Sequence, residues 1–102
     1  MTRNDRAEYL VRAKLWLYPG KGGWHFLTVP RRQSRAIRDL FGPEARGWGS
    51  IPIRVRIGKT EWRTSLFPER KTSCYLFAVK ADVRKKERVD AGDMVTAKVW
   101  VP

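Results

Sequence analysis

Arginine and tryptophan occur close together in the middle of the chain, and this combination is the strongest indication of a binding function in the sequence. Trp48 precedes Arg54 and Arg56, and Trp62 and Arg63 follow a short turn. A guanidinium beside an indole ring provides a surface on which a base stacks and to which a phosphate binds. The pattern indicates a recognition surface for an anionic ligand. It fits equally a hairpin with tryptophans in the core and arginines that only cover apolar surface.

Side chains for the common catalytic and metal sites are too few. The chain has one histidine, His25, and one cysteine, Cys74, whereas structural zinc needs four such ligands. No Gly-x-Ser-x-Gly motif surrounds a serine, and the carboxylates have cations nearby in sequence, as on a solvated surface. These patterns predict no metal, no cofactor and no catalytic residue. They favour a protein that is not an enzyme.

Composition predicts one basic domain. The 102 residues contain 22 Lys and Arg against 10 Asp and Glu, which gives a net charge of +12. Such a charge attracts anions, including nucleic acids, although a composition that serves solubility, or a high-GC genome that prefers arginine, would look the same. A single cysteine forms no internal disulfide, and no apolar run approaches the ~20 residues of a membrane span. The sequence therefore predicts a soluble cytoplasmic protein.

Hydrophobic periodicity predicts a mainly β protein. Residues 1–7 are polar and are expected to be disordered, and residues 8–102 are expected to form a single domain. Alternation of apolar and polar residues predicts strands at residues 8–18, 24–29, 51–57, 61–68, 75–79 and 95–101. Helical spacing of four apolar residues, Ala36, Ile37, Leu40 and Phe41, predicts an amphipathic helix over residues 31–41 with these four on its apolar side. An acidic residue near the start and basic residues towards the end predict a short helix over residues 80–89. About six strands with two helices indicate a small closed or nearly closed Greek-key-like β-barrel.

These elements position the basic residues. In the central hairpin, isoleucines alternate with Arg54 and Arg56, so both arginines are predicted to face outward, and their removal is expected to spare the fold. Trp62 is in phase with the apolar side of its strand, which favours a place in the core. On the first helix, one face away from the apolar residues is basic; its members are Arg31, Arg35 and Arg38.

Several motifs resemble a known family. They are GGWHFLTVP, GWGSIPIRVRIG, WRTSLFP, YLFAVKADVRK and AGDMV, in this order and at short spacings. Together they resemble a family of small bacterial domains of unknown function, found alone or fused to a YdeI/OmpD-associated domain of the bacteriocin-protection kind. The resemblance implies a small Greek-key-like β-barrel with a helix between the second and third strands, and it implies no activity. One departure is Ala78, where the family usually has proline.

The resemblance also draws attention to small polar and basic residues in the most recognisable stretches. They are Ser50, Thr64, Ser65, Lys80 and Arg84. If the two cations share a helix face near the hydroxyls, the group would hold a phosphate or a carboxylate. Alternatively, the hydroxyls bond to backbone groups at bends and the cations belong to a helix end.

The sequence thus favours a non-enzymatic binding module for an anionic partner, either nucleic acid or a phosphorylated ligand. A second hypothesis is a protein-interaction domain that acts with a YdeI/OmpD-associated partner. A third is an enzyme that acts on a phosphorylated metabolite through Lys80 and Arg84.

Overall fold

A computed structural model describes residues 5–102, which form one strongly curved antiparallel sheet and two helices. The strands are β1 (Ala7–Lys14), β2 (Trp16–Leu17), β3 (His25–Thr28), β4 (Ile51–Ile57), β5 (Thr60–Glu69), β6 (Cys74–Ala78) and β7 (Met94–Val101). Their order in the sheet is β1-β7-β4-β5-β6-β3-β2. Helix α1 (Arg31–Phe41) connects β3 to β4, and helix α2 (Ala81–Glu87) connects β6 to β7.

The sheet is a curled half-barrel, and the prediction of a closed or nearly closed barrel of about six strands was wrong in closure and in strand count. The expected first strand is divided at Leu15. The Leu15 N–H donates to the Asp93 carbonyl (2.9 Å), and the Gly92 N–H donates to the Leu15 carbonyl (2.8 Å). These bonds hold the chain where β1 leaves its partner β7 and β2 turns to pair with β3. The described residues show no strand pair that closes the sheet.

The concave side of the sheet holds the core. Along β4, Ile51, Ile53, Val55 and Ile57 are buried, and β5 places Trp62 opposite Val55. This confirms the predicted inward rows of the central hairpin. The indole N–H of Trp62 is buried and has no hydrogen-bond partner among residues 5–102.

Helix α1 covers one end of the core through Ser34, Ile37 and Phe41. The Ser34 hydroxyl is fully buried, donates to the Val29 carbonyl (2.9 Å) and accepts from the Tyr75 N–H (3.0 Å). The hydroxyl therefore connects the helix to the chain leaving β3 and to β6. Leu40, which helical spacing suggested as a core residue, is 62% exposed.

Helix α2 is shorter than the predicted span of residues 80–89. Arg88 adopts a left-handed conformation (φ 54°) and ends the helix after Glu87. Val83 is buried against the core, and the Glu87 carboxylate accepts a hydrogen bond from the Thr60 hydroxyl at 2.6 Å. This bond ties the helix to the start of β5.

The N-terminal segment differs from the expectation of disorder over residues 1–7. Residues 1–4 lie outside the described part of the chain, but Ala7 already begins β1 and the Arg6 N–H donates to the Val101 carbonyl. Neither α1 nor α2 has the length and apolar character that crossing a membrane requires, as far as residues 5–102 are concerned.

Candidate ligand-binding groove

The outer face of β2, β3 and β5 carries aromatic side chains where a solvated sheet would carry polar ones, and β6 adds Leu76 and Ala78 between them. Leu27 is buried on the inner side, so its neighbour Phe26 points outward, and Trp16 lies opposite Phe26 on β2. Phe26 borders a groove of about 390 Å³. The lining consists of Tyr18, Trp24, Phe26, Phe67, Leu76 and Ala78.

The rings of this groove present flat, partly exposed faces. Trp24 is 56% exposed and lies nearly parallel to Phe26, with ring centroids 6.2 Å apart and 7° between the planes. Tyr18 meets Phe26 edge to face at 6.1 Å. Because the side chain of Ala78 is small, the groove stays open between these rings. A planar ligand would find stacking surfaces here.

A basic pocket of about 230 Å³ adjoins the groove and shares Trp24 and Ala78 with it. Its other lining residues are Gly22, Gly23, His25, Val79, Lys80, Ala81 and Arg84. Lys80 is exposed at the start of α2, and Arg84 stands one turn later and is half-buried. Among the residues named as lining, none is a carboxylate.

Hydrogen bonds hold one of the two cations of this pocket, Arg84. His25 Nδ1 lies 2.7 Å from the Gly23 carbonyl, which only accepts, so Nδ1 carries the proton. In the neutral ring Nε2 then accepts from Arg84 Nη1 at 3.3 Å. Arg84 Nε also donates to the Val79 carbonyl, and an Asp90 carboxylate oxygen lies 3.8 Å from His25 Nε2. Arg84 is therefore oriented by the protein, whereas Lys80 is free to reach a ligand.

Comparison of the sequence with known protein families places the chain in one of them. Residues 12–99 match the family model described as Domain of unknown function (DUF1905). The chain belongs to the DUF1905 family. The match includes every residue that lines the groove and the basic pocket, and it confirms the resemblance to a small domain of unknown function. No curated protein matches the chain.

In this DUF1905 domain, Arg54 faces outward as predicted but is paired. Two of its nitrogens donate to the Asp5 carboxylate at 3.0 Å, and Nε lies 3.0 Å from Glu61 Oε2. The hydrogen bond with Asp5 raises the pKa of the Arg54 guanidinium above its ordinary value. The guanidinium also lies 4.3 Å from the centre of the Trp100 ring.

Trp100 is the side chain that Arg54 and Arg56 cover on the outer side of the sheet. It lies opposite Arg54 on β7, on the outer side of the sheet, yet it is only 7% exposed. Arg54 and Arg56 lie over its ring, and its indole N–H donates to Glu8 Oε1 at 2.6 Å. The arginine and tryptophan contact on this face is therefore built into the fold. Arg63 is exposed nearby and, together with Arg54 and Thr64, lines a cavity of about 230 Å³ that is distinct from the groove and the basic pocket.

The other sequence-predicted site residues are spread over the DUF1905 domain. Trp48 is 93% exposed in a short 3-10 turn (Gly47–Gly49), with φ at 64°. Ser50 follows that turn and is half-buried, as are Thr64 and Ser65 on β5. Of the second predicted cluster, only Lys80 and Arg84 line a common cavity.

The basic face of α1 is exposed, as helical spacing predicted. Arg31 and Arg35 are open to solvent, while Arg38 lies 5.6 Å from the Tyr75 ring centre and donates to the Ser73 carbonyl. No cavity described above is lined by these three arginines. Within residues 5–102 there is also no group of three or more His, Cys, Asp or Glu side chains placed to hold a metal ion.

Sequence reasoning missed the aromatic groove. The signal was present in the first hairpin, where Trp16 and Phe26 both occupy the outward phase of their strands. Aromatic residues in the polar phase of two neighbouring strands indicate a functional surface or a covered one. Phe67 and Leu76, however, join the groove only because β6 lies between β3 and β5 in the sheet.

Proposed function

We propose that this DUF1905 domain is a non-enzymatic binding module for an anionic ligand that carries an aromatic or apolar part, with nucleic acid as the leading candidate. One observation carries the proposal. An open aromatic groove of about 390 Å³ adjoins a basic pocket, and the two share Trp24 and Ala78. A ligand with a ring and a phosphate would place the ring in the groove and the phosphate near Lys80 and Arg84.

Binding rather than catalysis is supported by how the reactive side chains are used. His25 has both ring nitrogens in hydrogen bonds with Gly23 and Arg84. Cys74 is buried, and its thiol donates to the Thr72 carbonyl at 3.5 Å. Since neither side chain is presented to the groove as a nucleophile, we propose no reaction. We place the function in the bacterial cytoplasm, as the single cysteine and the family resemblance suggest.

The test uses three small probes at low salt: inorganic phosphate, which has only the anionic group, adenosine, which has only the aromatic base, and adenosine monophosphate, which has both. Titration is followed by NMR of the tryptophan indole N–H resonances, with Trp24 assigned through Trp24→Phe. Adenosine monophosphate is expected to shift the Trp24 resonance at lower concentration than either of the other probes. Lys80→Ala is expected to weaken its binding, whereas Arg12→Ala, which removes an exposed cation on β1, is expected to leave it unchanged. The proposal fails if no probe perturbs Trp24, or if both variants weaken binding equally.

A second candidate function is a protein-interaction domain that acts with a YdeI/OmpD-associated partner. The apolar lining of the groove favours it, because such a surface also accepts apolar side chains of another protein. Size-exclusion chromatography of this chain mixed with a separately produced YdeI/OmpD-associated protein tests it. A complex that Ala78→Trp abolishes by filling the groove would support this function, and the absence of any complex would contradict it.

A further inference from the structure

The outer side of β6 runs as a track through the groove, with cations at both ends. Residues of β6 alternate, so Tyr75 and Phe77 are buried inside while Leu76 and Ala78 line the groove outside. The turn that connects β5 to β6 contains Arg70 and Lys71, which are both exposed. After β6, Lys80 and Arg84 stand at the basic pocket. Seven residues from 74 to 80 span about 20 Å at the ordinary rise of a strand.

Aromatic rings lie on both sides of this track. Trp24 lies at the end near Lys80, because it lines both the groove and the basic pocket. Phe67 is 43% exposed and lies opposite Leu76, nearer the end with Arg70 and Lys71. A ligand lying along β6 would therefore contact basic side chains at one end, aromatic rings in the middle, and basic side chains again at the other end.

A surface that combines basic side chains with exposed aromatic rings favours single-stranded over double-stranded nucleic acid. In a duplex the flat faces of the bases are hidden by their neighbours, so exposed rings have nothing to stack on. In a single strand the bases turn outward and stack on aromatic side chains, while the phosphates follow basic residues. About 20 Å accommodates roughly four to six nucleotides at spacings of about 3.4 Å or more.

We infer that the groove along β6 binds a segment of single-stranded nucleic acid, with bases against Trp24 and Phe67 and the backbone running between Arg70 and Lys71 at one end and Lys80 and Arg84 at the other. The inference rests on the proposed function, which requires only an anionic ligand in the same groove. Charge complementarity supports it, because residues 70, 71, 80 and 84 are all basic.

Three carboxylates lie near the ends of the track, and two of them have internal hydrogen bonds. Glu69 accepts from the Thr72 hydroxyl at 2.8 Å, and Asp82 accepts from the Val83 N–H at 3.0 Å. Asp90 lies 3.8 Å from His25 Nε2. None of the three is among the residues that line the groove or the basic pocket.

The experiment measures fluorescence anisotropy of labelled oligothymidylates, from one to about eight nucleotides long, together with a duplex of matched charge. Affinity is expected to rise steeply with length up to about four to six nucleotides and then level off, with the duplex at least about tenfold weaker. Trp24→Ala and Phe67→Ala are each expected to weaken single-strand binding by at least about fivefold. Lys71→Ala is expected to weaken it and to reduce its salt dependence.

Matched controls lie on β1, where Leu10→Ala removes an exposed apolar side chain and Arg12→Ala an exposed cation. Neither is expected to change binding. Equal affinity for duplex and single strand, or equal losses in the controls, would overturn the inference. If adenosine monophosphate binds at Trp24 but oligonucleotides bind no more tightly, the single-strand inference fails while the proposed function stands. If no phosphate-bearing probe binds and a protein partner occupies the groove, both fail.

Discussion

At the scale of single residues, Arg54 and Lys80 illustrate two uses of positive charge in one domain. Arg54 has a side chain that is 16% exposed, pairs with Asp5 and Glu61, and covers Trp100. Lys80 is exposed at the rim of a cavity. The sequence presents both simply as cations outside the core. Burial and partners separate the cation that stabilises the fold from the one that is free to bind a ligand.

The structure changes the expectation for removal of the arginines on β4. Arg54→Ala is expected to lower the free energy of unfolding by about 1–3 kcal/mol, because it removes the contacts that Arg54 makes with Trp100 and with the carboxylates of Asp5 and Glu61. Arg56→Ala, the matched control, is expected to change it by less than about 0.5 kcal/mol, since Arg56 is exposed. Urea denaturation measures both. Equal stability of the two variants would show that the Arg54 contacts contribute nothing.

Trp48 is an exposed residue whose backbone conformation is unfavourable for a large side chain. A large side chain at φ 64° is strained, and 93% exposure means that little packing offsets the strain. Trp48→Asn is expected to raise the free energy of unfolding by about 0.5–1 kcal/mol, because asparagine tolerates this conformation. Trp48→Ala keeps the strain and is expected to give no such gain. Thermal denaturation of the three proteins distinguishes them, and a loss of stability in both variants would mean that the indole packs.

At the scale of elements, helix α1 is held to the sheet through a polar contact inside an apolar interface. Spacing alone identified the helix and the burial of Ile37 and Phe41, but it also placed Leu40 inside and overlooked Ser34. Serine is seldom fully buried unless it is hydrogen-bonded. Its bond to the Val29 carbonyl is local, but its bond with the Tyr75 N–H joins residues 41 positions apart, and no local pattern reveals that pairing.

Ser34→Ala is therefore expected to lower the free energy of unfolding by about 1–3 kcal/mol, because it leaves the buried Tyr75 N–H without its hydroxyl acceptor. Arg35→Ala, on the exposed side of the same helix, is expected to stay within about 0.5 kcal/mol of the parent. Chemical denaturation followed by tryptophan fluorescence gives both values. If Ser34→Ala were as stable as Arg35→Ala, the hydroxyl would not be what anchors α1.

At the scale of the whole molecule, the net charge of +12 has a measurable consequence. It attracts any polyanion, so weak binding to nucleic acid at low salt is not by itself evidence for a site. A site requires cations that are arranged along a path and free of partners. The ends of β6 meet this condition better than β4, where Arg54 is already paired.

Salt dependence tests this difference. With about four phosphates contacted, the logarithm of the single-strand binding constant is expected to fall against the logarithm of salt concentration with a slope of about −3. Lys71→Ala is expected to make the slope shallower by about 0.7. Arg56→Ala removes the same charge from β4 and is expected to leave the slope unchanged. A slope that responds equally to both variants would point to diffuse attraction by the net charge.

Local pattern was enough to predict most of the elements of this fold. Alternation with period two identified the strands and the buried rows of the central hairpin, because a strand that buries one face must alternate. Helical spacing located α1, and the motif resemblance was confirmed by the family match. Closure was predicted wrongly because the break at Leu15 depends on bonds to Gly92 and Asp93, far along the chain.

The candidate site also could not be predicted from local pattern, because it depends on contacts between residues far apart along the chain. The residue types are visible in the sequence: a large excess of cations, several aromatic residues, and a single histidine and cysteine. Which cations remain free and which rings share a groove was decided only when distant strands paired. Phe67 reaches the groove because β5 pairs with β6, and Trp24 reaches it because β3 pairs with β6 on the other side. Pairing between strands far apart in sequence is set by the packing of the whole sheet, which no local periodicity contains.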